Sequence, residues 1–184
     1  MRMTDFLLAL IGAALVNNLI LGLPLAADAL RHARAQALGP AAALLILFVA
    51  PGAWLLQRLL QAVDLAYLHL LLCVPLLAAL GGLVLTLLAR WRADLAQPQL
   101  WPLLLGNGLG AAVLARSLES FPAALALGVG GGLGFWLVLQ LMSDLLERIE
   151  QCDVPAALRG TPLLLIAAGL MSLAFLGFNG LGAA

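Results

Sequence analysis

The chain is 184 residues long, 64% hydrophobic and only 10% charged, with a mean hydropathy of +1.10. A soluble domain carries about 25% charged residues, so nine Arg, nine Asp and Glu and no Lys leave too little charge for a water-exposed surface. The formal net charge is zero and the charges are scattered, which excludes a basic face for nucleic acid.

The charges instead separate six uncharged runs: Phe6–Ala27, Ala35–Gln57, Leu65–Ala89, Leu95–Ala115, Ser120–Ser143 and Gly160–Ala184. A helix crosses the hydrocarbon core with about 20 apolar residues. Backbone groups inside lipid must also be satisfied internally, which favours helices over open strands. The pattern therefore predicts an all-α membrane protein with six transmembrane helices and short connections, forming a single integral membrane domain over residues 1–184.

The first run exceeds the length of a signal-peptide apolar core, and Arg2 and Asp5 cancel in front of it. It is read as a membrane helix. In its middle stand Asn17 and Asn18, with Pro24 shortly after. The second run ends at Gln57; Gln57, Gln61 and Gln140 are expected near helix ends, snorkelling or bonding backbone. The third begins with Tyr67 and His69, placed as interfacial rings. No second His or carboxylate stands at ligand spacing from His69, and Cys73 and Cys152 form neither a disulfide framework nor a CxxC motif. No metal site and no catalytic residue is expected.

The fourth run holds Asn107 among Gly106, Gly108 and Gly110, after Pro98 and Pro102. These residues predict that helices 1 and 4 are broken near their Asn residues. Two readings stand for Asn17, Asn18 and Asn107. They bridge helices as polar residues in membrane bundles do, or they line a midplane path for an electron or ion. The fifth run carries two GxxxG spacings, Gly128/Gly132 and Gly130/Gly134. Small residues at this spacing let helix backbones approach closely in lipid, so these glycines are read as packing positions. The polar segment from Asp144 to Arg159 is either a solvated helix extension or a docking surface for a cytoplasmic partner.

Asn17 and Asn107 open two halves of three helices each, about 1–92 and 93–184. An odd number of spans per half sets the halves in opposite directions, the arrangement of inverted-topology repeats with midplane sites on broken helices. The connections after helices 1, 3 and 5 carry Arg31, Arg34, Arg90, Arg92, Arg148 and Arg159; the other side carries Arg2, Arg58 and Arg116. Arg stays cytoplasmic, which predicts a multi-pass protein with both termini periplasmic. No Asp, Glu or Arg lies deep in a span, which argues against a self-contained ion pump.

Asp153-Val154-Pro155 through Arg159-Gly160, followed by Ala168-Gly169-Leu170-Met171-Ser172-Leu173-Ala174-Phe175, resembles the A subunits of bacterial Rnf (Rsx) complexes. That family also includes one membrane component, the E subunit, of the sodium-pumping NADH:quinone reductase. Met3-Thr4-Asp5-Phe6 leading to Val16-Asn17-Asn18 looks like the family's opening, and the likeness runs from end to end. The resemblance implies a six-helix inner-membrane subunit of an ion-translocating oxidoreductase that couples ferredoxin/NAD electron transfer to ion transport. No catalysis by this chain alone is expected. The implied partners are the B, C, D, E and G subunits of an Rnf complex, above all the homologous, oppositely oriented E subunit. Between the A and E subunits the family places an iron–sulfur cluster held by cysteines. One follows the Asn pair as Cys-Pro, where this chain has Leu23-Pro24; the other is in helix 4 as Asn-Cys, where it has Asn107-Gly108. Such clusters are held by thiolates, so this chain is expected to supply no cluster ligand. A stand-alone small permease, and a diverged assembly subunit that has lost electron transfer, are the alternative functions.

Overall fold

The computed structural model describes residues 10–16, 38–91 and 101–177, all of them helical or in helix connections. The first helix, α1, is described over residues 10–16 and passes into a π-helical turn, Gly12–Val16. Then come α2 (Leu38–Ala62), α3 (His69–Trp91), α4 (Trp101–Ala115), α5 (Phe121–Glu150) and α6 (Thr161–Leu176). Each is centred on one of the six uncharged runs, with α2, α3 and α5 extending into the charged residues that follow. The helices at Leu38–Ala62, Ala66–Trp91 and Phe121–Ile149 are long and apolar enough to cross a membrane, while α4 and α6 are shorter apolar helices.

The helix ends follow local chemistry. Pro122 and Pro162 stand in the first turns of α5 and α6, where a missing N–H costs nothing. Gly160 enters α6 at φ 84°, a conformation that glycine adopts without a Cβ penalty. The α5 helix runs past Ser143 to Glu150, and Asp144, Glu147 and Arg148 are exposed on it. The first half of the polar segment is thus a solvated helix extension.

The α2–α5 pair forms the centre of the bundle, with α4 and α3 against α2, and α1 and α6 against α5. Directions follow from close approaches. Gly128 and Gly132 of α5 meet Leu47 and Ala43 of α2, an antiparallel register. Gly130 and Gly134 meet Leu10 and Ala14 of α1, a parallel one. Leu45 at Gly108 and Trp54 at Leu118 set α2 parallel to α4.

The break expected in helix 4 is not there: α4 is continuous from Trp101 to Ala115, through Gly106, Asn107, Gly108 and Gly110. Glycine costs a helix about 1 kcal/mol relative to alanine. A freed backbone group away from water costs several kcal/mol, so the helix stays closed. In helix 1 the departure from α geometry is the π-turn just before Asn17; Asn17, Asn18 and Leu23 lie outside the described residues.

Candidate functional site

Three polar side chains are buried among the described residues: Asn107 (3% exposed), His69 (1%) and Gln57 (7%). Asn107 sits in the middle of α4, beside Gly108. Its Nδ2 finds no hydrogen-bond acceptor among the described residues. Buried polar groups are normally paired, so an unpaired amide donor inside an apolar bundle marks a place where a polar partner is wanted. Gly108, one residue on, packs closely: a Cβ there would lie 2.7 Å from Leu77 Cδ2 and 3.1 Å from Leu45 Cδ2. Gly108 therefore lies at a seam where α2, α3 and α4 converge.

His69 and Gln57 form a second polar region toward the other end of α2. His69 is not an interfacial ring: its Nε2–H donates to the Ala53 carbonyl at 3.2 Å. Cys73, one turn on and fully buried, places its Sγ 3.5 Å from His69 Nε2. Gln57 is buried, and its Oε1 has no partner among the described residues; Gln61 is exposed at the end of α2 as expected, whereas Gln140, also exposed, stands well inside α5 rather than near its end. The sequence signal for this second region is spacing. His69, Cys73, Leu77, Gly81, Val84 and Leu88 are the buried positions of α3, separated by three or four residues as one helix face requires. Tyr67 is exposed, as an interfacial ring would be.

The four GxxxG glycines of α5, Gly128, Gly130, Gly132 and Gly134, are buried and face two helices. Gly128 and Gly132 lie on α2, where added Cβ atoms would stand 3.0 Å from Leu47 O and 2.7 Å from Ala43 O. Gly130 and Gly134 lie on the carbonyls of Leu10 and Ala14 in α1. The two offset GxxxG spacings thus hold α5 against backbone on both sides.

At the α2–α3 end, the Trp54 indole N–H donates to Leu118 O at 3.0 Å, and Arg58 Nη2 donates to Glu119 O at 2.7 Å. The Arg58 guanidinium lies 5.2 Å from the Trp54 ring, which packs on Phe121 at 5.6 Å. These contacts tie the α4–α5 connection to α2. At the opposite end, Arg159 Nε donates to Val154 O at 2.9 Å, and Leu158 N donates to Pro155 O. The motif from Asp153 to Gly160 is a self-closing loop between α5 and α6. Beside it opens a polar cavity of about 870 Å³, lined among others by Cys152, Asp153 and Arg159.

A multi-pass bundle of apolar helices with close glycine packing at its centre defines an integral membrane protein. A family model described as "Rnf-Nqr subunit, membrane protein" matches residues 6–182. The chain belongs to this Rnf-Nqr family of membrane subunits. It is 38% identical over 190 residues to the A subunit of the ion-translocating oxidoreductase complex of Syntrophotalea carbinolica, covering 97% of this chain and 98% of that protein. The corresponding A subunits of Rhodobacter capsulatus, at 36% over 193 residues, and Edwardsiella ictaluri, at 34% over 195, are matched over the same shares.

Proposed function

We propose that this chain is the A-type membrane subunit of an Rnf-type ion-translocating oxidoreductase complex in a bacterial inner membrane. The observation that carries this reading is the end-to-end likeness to proteins named as the A subunit, with neither chain leaving a domain unmatched. The helical fold supports it, because a small bundle without a buried carboxylate among the described residues suits one component of a complex better than a self-sufficient pump. The other Rnf subunits are its partners, and the homologous E subunit is the one it faces most directly.

The chain reads as two inverted repeats, about 1–92 and 93–184. Exchanging α1 with α4, α2 with α5 and α3 with α6 maps the central α2–α5 contact onto itself. It also maps α2–α4 onto α5–α1, α2–α3 onto α5–α6 and α3–α4 onto α6–α1, and all of these contacts occur. The parallel registers of α1 with α5 and of α2 with α4 exchange in the same way. In this arrangement Asn107 is the midplane residue of the second half and the Asn17-Asn18 pair its counterpart along the sequence, and the Arg bias supports periplasmic termini.

The test is affinity purification of the tagged chain in mild detergent, with mass spectrometry of the proteins that accompany it. The other Rnf-type membrane subunits are expected with it. A chain that purifies alone and monodisperse would refute the assembly and favour a stand-alone permease.

A further inference from the structure

The Rnf-Nqr family implies an iron–sulfur cluster at the interface between this chain and its homologous partner, so the residues at the helix-4 ligand position can be tested for fit. That position is Gly108, which has no thiolate to offer, and the space beside it is taken up by two leucine side chains. A Cβ alone would stand 2.7 Å from Leu77 Cδ2 and 3.1 Å from Leu45 Cδ2, closer than the roughly 3.5–4.0 Å at which carbon atoms pack. Leu45 is fully buried and Leu77 is 3% exposed, so a side chain at this position requires both leucine tips to repack within the bundle. Cys73 offers no replacement, since its sulfur is held against His69. Cys152 is exposed in the loop between α5 and α6.

We infer that the helix-4 position where the family holds a cluster ligand is, in this chain, a packing contact closing the seam of α2, α3 and α4, and that the pair formed with the homologous partner carries no iron–sulfur cluster. The inference rests on the proposed assembly and deepens it. Cluster irons are held by four cysteine thiolates; Gly108 removes one in helix 4, and Leu23 stands where the sequence aligns the other. A partner's own cysteines then leave the irons short of ligands. The seam gains in exchange a close three-helix contact that a cysteine side chain would prop open. The chain thus keeps the architecture of the family's membrane pair without the redox centre.

The experiment is anaerobic co-purification of this chain with its homologous partner, followed by iron and acid-labile sulfide determination and visible absorption of the pair. Iron near zero per pair, with no charge-transfer band, is expected. A pair carrying about two or four irons with matching sulfide would overturn the inference while leaving the assembly intact. Failure of the two chains to co-purify would overturn both. A second variant tests the closed seam: Leu23→Cys with Gly108→Cys is expected to stay iron-free while Leu77 is intact. Iron acquired by that double variant, with Leu77 unchanged, would show that the seam admits a ligand and overturn the packing argument.

Discussion

Gly132→Ala is the sharpest probe of the bundle's centre. The added Cβ would stand 2.7 Å from the Ala43 carbonyl oxygen and 3.4 Å from the Ala43 Cα. Both are backbone atoms of a continuous helix, so no rotamer change relieves the contact. Restoring an ordinary separation of about 3.5 Å requires α5 to retreat from α2 by about 0.8 Å. That loosens the neighbouring Gly128–Leu47 approach as well. Overpacking of this kind costs about 1–3 kcal/mol, against which the better helix propensity of alanine returns up to about 1 kcal/mol. The control is Gly169→Ala on α6, where nothing lies within 4 Å and only the propensity gain applies. Thermal unfolding of both variants in one detergent is the assay. At about 2–4 °C per kcal/mol for a chain of this size, Gly132→Ala is expected to fall several degrees below Gly169→Ala. Equal melting temperatures, or a Gly132→Ala protein that is the more stable, would refute close backbone approach as the reason for glycine here. Gly132→Leu extends the series and is expected to reduce the yield of assembled complex further.

Three more outcomes follow from the same contacts. Trp54→Phe keeps an aromatic ring against Phe121 but leaves the Leu118 carbonyl without its donor; a loss of about 0.5–1.5 kcal/mol is expected, and unchanged thermal stability would contradict a structural role for that bond. Cys152 is exposed and Cys73 buried, so a membrane-impermeant maleimide is expected to label Cys152 in inside-out but not right-side-out vesicles. The opposite pattern would reverse the proposed orientation, with Cys152→Ser as the control that removes labelling. Asn107→Ala removes an amide whose Nδ2 has no partner among the described residues. Assembly and melting temperature are expected to hold while ion transport by the assembled complex falls; unchanged transport would leave Asn107 without a midplane role.

The number and order of helices were legible because charge is excluded from hydrocarbon at a cost of several kcal/mol per group. Nine cations and nine anions in a chain this apolar can only punctuate spans. The glycines of α5 were legible as packing positions for a similar reason, since spacing by four puts them on one helix face. Which helix each face meets was not legible: the two offset pairs turn toward α2 and α1 separately, and that choice belongs to the tertiary arrangement. His69 and Gln57 show the limit of reasoning from helix ends. Both stand near a terminus, where a polar side chain can reach the interface, yet both lie on the face that packs inward. Residue position along a helix sets the depth of a side chain; only its phase against the buried stripe sets its direction.

Asn107 and Gly108 illustrate how two adjacent residues separate a family's scaffold from its chemistry. Their local sequence points to a break in helix 4, but α4 carries both without interruption. Asn107 keeps the polar position that matches the family's motif and leaves an unpaired donor in the bundle. Gly108, about 100° around the helix, meets Leu77 and Leu45 so closely that a side chain there would make their methyl groups move. Losing a metal ligand from an apolar interior leaves a hole unless the neighbours close it, and an unfilled cavity costs about 24 cal/mol per Å³. On the inference drawn above, Leu77 and Leu45 fill that space. Packing of this kind would let a bundle keep its assembly without a ligand at Gly108, so assembly and iron content are separate measurements.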